Sequence, residues 1–147
     1  MKIRPYIPED KDKLLQIIRT NTPTYFAPEE EADFADYLEH EREEYFVIES
    51  GGELVGCGGV NYTDDKSVGI ISWGMIHPDF HGKKIGTALL RHRLDVLKNT
   101  PTVKRITVRT SQLTYQFYEK NGFRLIEATK DFWAPGLDMY YMEYGEL

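Results

Sequence analysis

Met75-Ile76-His77-Pro78-Asp79-Phe80-His81-Gly82-Lys83-Lys84-Ile85-Gly86-Thr87-Ala88-Leu89-Leu90 is the stretch that decides how this chain is read. The run ahead of Pro78 is apolar and strand-like, while the residues after the turn have the apolar spacing of a helix. Between them lie Gly82, Gly86 and the lysine pair Lys83-Lys84. The first turn of a helix presents N–H groups without intrahelical partners at the positive end of its dipole, so main chain alone can hold a diphosphate there. Gly82 and Gly86 let the backbone approach such an anion closely.

Two other phosphate motifs fail on this chain. A P-loop needs Lys-Ser or Lys-Thr after its last glycine, whereas Thr87 follows Gly86 directly and both lysines precede it. A dinucleotide fingerprint should open a helix, but Gly56-Cys57-Gly58-Gly59 lies inside a strand-like run, with no acidic residue at the expected distance in a βαβ unit. An ordinary strand-turn-helix junction with a solvated lysine pair is the plain alternative.

What remains is the pattern Val/Ile-x-Pro-x-x-Gln/Arg-Gly-x-Gly-x-Gly/Ala, and in it the chain resembles the GNAT family of N-acetyltransferases. His81 stands where that family has Gln or Arg, and Lys84 stands at its middle glycine. A helix start in right-handed conformation does not require glycine, so Lys84 is expected to be tolerated and to add charge beside a diphosphate. A second stretch, Thr110-Ser111-Gln112-Leu113-Thr114-Tyr115-Gln116-Phe117-Tyr118-Glu119-Lys120-Asn121-Gly122-Phe123, resembles the later family segment, in which a helix carrying Tyr-Glu-Lys ends at Gly-Phe. Local physics agrees, since Asn121-Gly122 is a good helix stop and Phe123 can cover the helix end.

Length and charge set bounds. The 147 residues, 41% of them hydrophobic, suffice for one domain spanning 1–147 and are too few for two. A formal charge of -6 argues against general nucleic-acid binding and is compatible with a cationic acceptor. No signal-like stretch or membrane-length apolar run is visible, and a lone cysteine, Cys57, excludes an internal disulfide, so a cytoplasmic setting is expected. No metal site is expected. Pro78 breaks the helix that would align His77 with His81, and no further ligand completes a set.

The chain alternates strands and helices. Ile3–Tyr6 reads as a strand, Pro8-Glu9-Asp10 opens a helix to about Arg19, and Glu29–Arg42 is a second helix buried through Phe34, Tyr37 and Leu38, its carboxylates a solvated face. Tyr45–Glu49 and Leu54–Tyr62 form a hairpin. Val68–Ile76 reads as a central strand covered on both faces, followed by a helix from about Lys84 to Asn99. Arg105–Arg109 is a strand leading into the tyrosine helix, and Arg124–Thr129 pairs with Leu137–Tyr144. Strand-helix-strand makes Val68–Ile76 and Arg105–Arg109 parallel. The fold class is α/β: one domain with a mixed, mostly antiparallel sheet and about four flanking helices.

The resemblance implies more. It implies acetyl-CoA as co-substrate, lying where the parallel pair splays, with its diphosphate on N–H groups around His81, Gly82, Lys83, Lys84, Ile85, Gly86 and Thr87. The backbone of Met75 and Ile76 would pair with the pantetheine arm. Ser111 stands where the family often has an Asn that touches that arm. Tyr118 matches the tyrosine that protonates the departing thiolate. Ile70 occupies the position of a strand glutamate that serves many relatives as general base, leaving a water chain, His77 or an acid from another element. Tyr25, Phe26 and Trp133, with Tyr140, Tyr141 and the acidic residues Glu29 to Asp33, fall where relatives select the amine.

The expected activity is transfer of an acetyl group to a primary amine of a small molecule or peptide by direct transfer in a ternary complex. Its rival is an acyl-CoA-binding regulatory module without turnover; a phosphate-binding protein of unrelated fold is disfavoured by the second motif. No nucleic acid or membrane partner is expected, and a homodimer stays open.

Overall fold

The computed structural model describes residues 1–145; the last two residues of the expected 1–147 domain lie outside it. β1 (Lys2–Pro5) leads through a 3₁₀ turn at Pro8–Asp10 into α1 (Lys11–Thr20), and α2 (Glu30–His40) follows. β2 (Glu44–Ser50), β3 (Glu53–Tyr62) and β4 (Val68–Ile76) form an antiparallel meander. After α3 (Ile85–Lys98) come β5 (Arg105–Thr110), α4 (Tyr115–Lys120), β6 (Phe123–Ala134) and β7 (Leu137–Tyr144). The sheet runs β1-β2-β3-β4-β5-β7-β6, and only β4 and β5 pair in parallel.

Apolar periodicity explains the layers. Leu14, Ile17 and Ile18 bury one side of α1 and pack with Phe34 and Leu38 of α2 against Val47, Cys57 and Met75 on one face of the sheet. Leu90, Leu94 and Leu97 of α3 and Tyr118 of α4 cover the other face over Val60, Ile71 and Ile106. β2 buries Tyr45 through Ile48 in succession, as a strand covered on both faces does.

Three expectations change. β4 was read as covered on both faces, yet Ile70, Ser72, Trp73, Gly74 and Ile76 are only partly buried, because they stand on a cleft. The tyrosine helix is a short piece from Tyr115. Ser111 ends β5 with a turn, its carbonyl accepting from the N–H groups of Thr114 and Tyr115, so Leu113 falls outside the helix and is half exposed. Glu30 leaves the solvated carboxylate face: it is buried and its Oε2 accepts from the Ala27 N–H at 2.7 Å, closing the start of α2. Gly122, with φ +96°, ends α4 in the expected left-handed geometry, and Phe123 packs beneath it.

An ion pair ties the first turn to the sheet. Arg4 donates from Nη1 to Asp10 Oδ2 and from Nη2 to Asp10 Oδ1, both at 2.9 Å, and Asp10 also accepts the Ile7 N–H at 2.9 Å. The Arg4 guanidinium holds the Asp10 carboxyl below its ordinary value. Since the folded value is the lower one, this stabilisation is complete above the unfolded carboxyl's titration near ~3.9 and is lost as pH falls through the folded value. Asp10→Asn is expected to cost about 1.5–3 kcal/mol at pH 7 and to flatten part of the acid limb of stability. Urea titrations from pH 7 to pH 3 check this; parallel curves for the two proteins would refute it.

Candidate functional site

Hydrogen bonding between β4 and β5 ends at Ile71 and Val108, and beyond that point the strands open around a cleft of about 1060 Å³. Its walls are β4 from Ile70 onward, the turn between Phe80 and Thr87, the end of β5 with the start of α4, and the loop joining α1 to α2.

The turn is built from unusual backbone. Gly82 has φ +77°, and Lys84, at the N-cap of α3, has φ +61° and ψ +16°. The right-handed helix start expected for Lys84 is therefore corrected to a left-handed one. That geometry suits glycine, and a lysine in it carries roughly 1–2 kcal/mol of strain. Lys84 supplies no side-chain cap, so the N–H groups of the first turn of α3 remain for a ligand or water. These features fit a diphosphate: a positive helix end, a glycine that keeps side chains away, and a lysine at the rim.

The far side of the turn is latched to β4. His81 Nε2 donates to the Ile76 carbonyl at 2.8 Å, and Asn21 Nδ2, just past α1, donates to the same oxygen at 3.1 Å. Tyr25 packs edge-on against His81 with ring centroids 5.5 Å apart. One carbonyl thus joins the anion turn to the loop between α1 and α2. It is the carbonyl expected to pair with a pantetheine arm.

Most residues singled out from sequence meet in this cleft. Met75, Ile76, His81, Gly82, Lys84, Gly86 and Thr87 line it on one side, and Ser111, Tyr118, Tyr25, Phe26 and Trp133 line it elsewhere. Two do not reach it with their side chains. Lys83 places its ammonium 5.2 Å from the Phe80 ring centroid, and Ile85 is buried with Phe46, Ile48 and Leu89. Ser111 Oγ accepts from the Leu113 N–H at 3.2 Å, which fixes the turn before α4. His77 is a turn residue, outside the cleft lining, whose Nδ1 accepts from the Asp79 N–H at 3.1 Å. Tyr140 and Tyr141 also stand outside the lining, Tyr140 packing on Tyr115.

Other wall residues escaped the sequence reading. Asn61 pairs with Ile70 across β3 and β4, and it donates to the Glu43 carboxylate at 3.2 Å and accepts from the Tyr37 hydroxyl. Glu41 and Glu43 line the cleft too, with Glu30, which belongs to the acidic stretch Glu29 to Asp33 expected beside the amine. Ile70 and Ile76 are separated by about 20 Å at ~3.3 Å per residue, so Glu43, held by Asn61 opposite Ile70, lies near one end of this wall and the turn at residues 81–87 near the other. Burial raises the Glu30 carboxyl above its ordinary value, against the hydrogen bond from Ala27. Trp73 stacks with Phe26 and Phe34, its backbone at φ +44°. Arg93 of α3 also lines the cleft although it is almost wholly buried. Cys57 is fully buried, and burial pushes its thiol up to about 12, so it is no ready nucleophile.

Among the described residues, no cluster of His, Cys, Asp or Glu is arranged to hold a metal ion, and no helix is long and apolar enough to cross a membrane.

A family model described as the acetyltransferase (GNAT) family matches residues 11–123. An N-alpha-acetyltransferase from Sulfolobus acidocaldarius is 26% identical over 90% of this chain and 85% of its own length. An aminoglycoside 6'-N-acetyltransferase solved with coenzyme A superposes with a TM-score of 0.79 at 16% identity, over 97% of this chain and 96% of that one. A ribosomal-protein-alanine N-acetyltransferase from Brucella melitensis gives 0.75 at 16% identity, over 97% and 98%. At such identities the two structural likenesses speak for the fold.

Proposed function

The chain belongs to the GNAT family of acetyltransferases, and from that premise we propose that it moves the acetyl group of acetyl-CoA directly onto a primary amine of a small molecule or peptide within one ternary complex. The observation that carries this reading is a single cleft lined by the N–H-rich turn at residues 81–87, by carboxylates and aromatic rings, and by Tyr118. An acetyl donor anchored by its diphosphate at one end and a cationic amine drawn to the other meet along β4.

In this reading the turn holds the diphosphate by main chain, with Lys84 adding charge. The backbone around Met75 and Ile76, beyond the end of the pairing with β5, aligns the pantetheine arm, which takes over the Ile76 carbonyl from His81 and Asn21. Glu30, Glu41 and Glu43 attract the amine as its ammonium, while Tyr25, Phe26 and Trp133 shape the entrance. The ammonium first gives one proton to solvent; the neutral amine then attacks the thioester carbon, the carbonyl π pair moves to oxygen, and collapse of that intermediate breaks the C–S bond. Tyr118 gives its phenolic proton to the leaving sulfur, and the second proton lost by nitrogen returns the tyrosine to its phenol form through water.

Direct transfer needs no acyl-enzyme. Cys57→Ala is therefore expected to leave turnover essentially unchanged, and an acetylated Cys57 that forms and decays at the turnover rate would overturn direct transfer. The activity itself is tested by release of free thiol from acetyl-CoA across a panel of polyamines, aminoglycosides and peptides with free N-termini. Peptides belong in the panel because the Sulfolobus relative is an N-alpha-acetyltransferase. Acetyl-CoA binding with no thiol release from any amine would point instead to a binding module.

A further inference from the structure

We propose that Arg93 is a positioning residue for acetyl transfer, whose guanidinium fills the gap between β3 and β4 and fixes both the shape and the charge of the wall beside the thioester. The proposal rests on the acetyltransferase reading and concerns a group behind its direct contacts.

The gap comes from a bulge. Cys57 pairs with Met75, but the next pair is Gly59 with Ser72, so Gly58 faces Trp73 and Gly74 without regular partners. Arg93 reaches this gap from α3, about 12 Å along the helix from the anion turn at ~1.5 Å per residue. Its Nη1 lies 3.4 Å from both the Gly59 carbonyl and the Ser72 carbonyl, so one nitrogen bridges the two strands where pairing resumes.

The space is cleared by glycines. A Cβ on Gly58 would lie 2.9 Å from Arg93 Nη1 and 3.0 Å from Cζ, and one on Gly74 would lie 3.0 Å from Nη2. This accounts for small residues in two adjacent strands that a dinucleotide motif does not explain.

The charge is left without an acid. Arg93 is 2% exposed, its Nε has no hydrogen-bond partner, and among the described residues it joins no ion pair. Two long bonds to carbonyls are a poor return for burying a cation, and a leucine like its helix neighbours Leu89 and Leu97 would fill the same face more cheaply.

An unneutralised cation next to Gly74, one residue from Met75, does serve the reaction. It favours negative charge on the thioester oxygen as the tetrahedral intermediate forms, in a site where water screens little. Tyr37, Tyr45 and Cys57 beside Arg93 are kept protonated by burial, and against the carboxylates of Glu41 and Glu43 on the same cleft the arginine disfavours the ammonium form of a bound amine, which keeps the nitrogen nucleophilic.

Two variants test this. Arg93→Met removes the charge and the bridge at similar volume, and Gly58→Leu leaves the arginine in the chain but puts a side chain where its guanidinium lies, since even a Cβ there would come within 2.9 Å of Nη1. Infrared spectra of bound acetyl-CoA carrying carbon-13 in the acetyl carbonyl report polarisation without any acceptor. In the native protein the carbonyl band should lie below its solution position, and in both variants it should move back toward it. On an amine that the native protein accepts, kcat should fall on the order of tenfold, less than the roughly 10²–10³ that loss of a direct oxyanion donor costs. KM for acetyl-CoA should hardly change. The acid limb of kcat should shift to higher pH, because the bound ammonium gives up its proton less readily. A native-like band and pH profile in either folded variant would overturn the proposal; if Arg93→Met does not fold, Gly58→Leu decides. Failure of the native protein to bind acetyl-CoA is a separate result, and it overturns the acetyltransferase reading together with this one.

Discussion

Tyr118→Phe is expected to lower kcat by roughly 10²–10⁴-fold, with a far smaller change in KM for acetyl-CoA. The thiolate leaving the tetrahedral intermediate has a conjugate acid near that of free cysteine, about 8.5, so a phenol held against it transfers a proton usefully. In the proposed mechanism Tyr118 is that phenol, and its ring is held by packing. Its ring lies edge-on to Phe117 and Phe123, with centroids 5.2 and 5.5 Å away, and the residue faces the cleft from the first turn of α4. Phenylalanine keeps both aromatic contacts and deletes only the donor. Steady-state kinetics on an accepted amine, with thermal unfolding as a control on the fold, measures the effect. A folded Phe variant with native kcat would assign Tyr118 to packing and return the sulfur's proton to water.

The second large effect is expected at Gly82. Its φ of +77° lies where a β-branched residue is strained, although a Cβ there would meet no atom within 4 Å. Gly82→Val should thus leave the core intact, because nothing packs against the new side chain, while it distorts the turn or stands over the N–H groups that receive the diphosphate. Losing one or two hydrogen bonds to a charged group, at about 1.5–3 kcal/mol each, weakens acetyl-CoA binding by roughly 10- to 10⁴-fold. Calorimetric titration with acetyl-CoA measures it. An unchanged dissociation constant would take the anion away from residues 81–87.

The order of elements and the parallel pair were legible because their signals are local. Pro8, the apolar spacing of Leu14, Ile17 and Ile18, and the strand-turn-helix change across Pro78 each report on a few consecutive residues. The turn at residues 81–87 was legible for the same reason, yet the hand of Lys84 was not. A lysine carries no mark of a left-handed backbone, which is imposed by the path from Gly82 into α3. Nor does sequence pair Asn21 with the Ile76 carbonyl 55 residues away, or bring Glu43 beside Asn61. Arg93 did leave a trace. It sits between Leu89 and Leu97 at steps of four, an arginine on the apolar stripe of a helix, and only the bulge across the sheet explains it.

Of the chain's two tryptophans, Trp73 stacks with Phe26 and Phe34 on β4, and Trp133 hangs from β6 with its indole N–H donating to the Thr110 carbonyl at 3.2 Å. Both stand on the wall of the same cleft. Tryptophan emission from this protein therefore originates on the walls of the cleft proposed to seat donor and acceptor. Occupancy can be followed by intrinsic fluorescence, with no dye attached. Replacing one indole at a time by phenylalanine separates the donor arm along β4 from the acceptor entrance by β6, so the order in which the two fill can be read from the light alone.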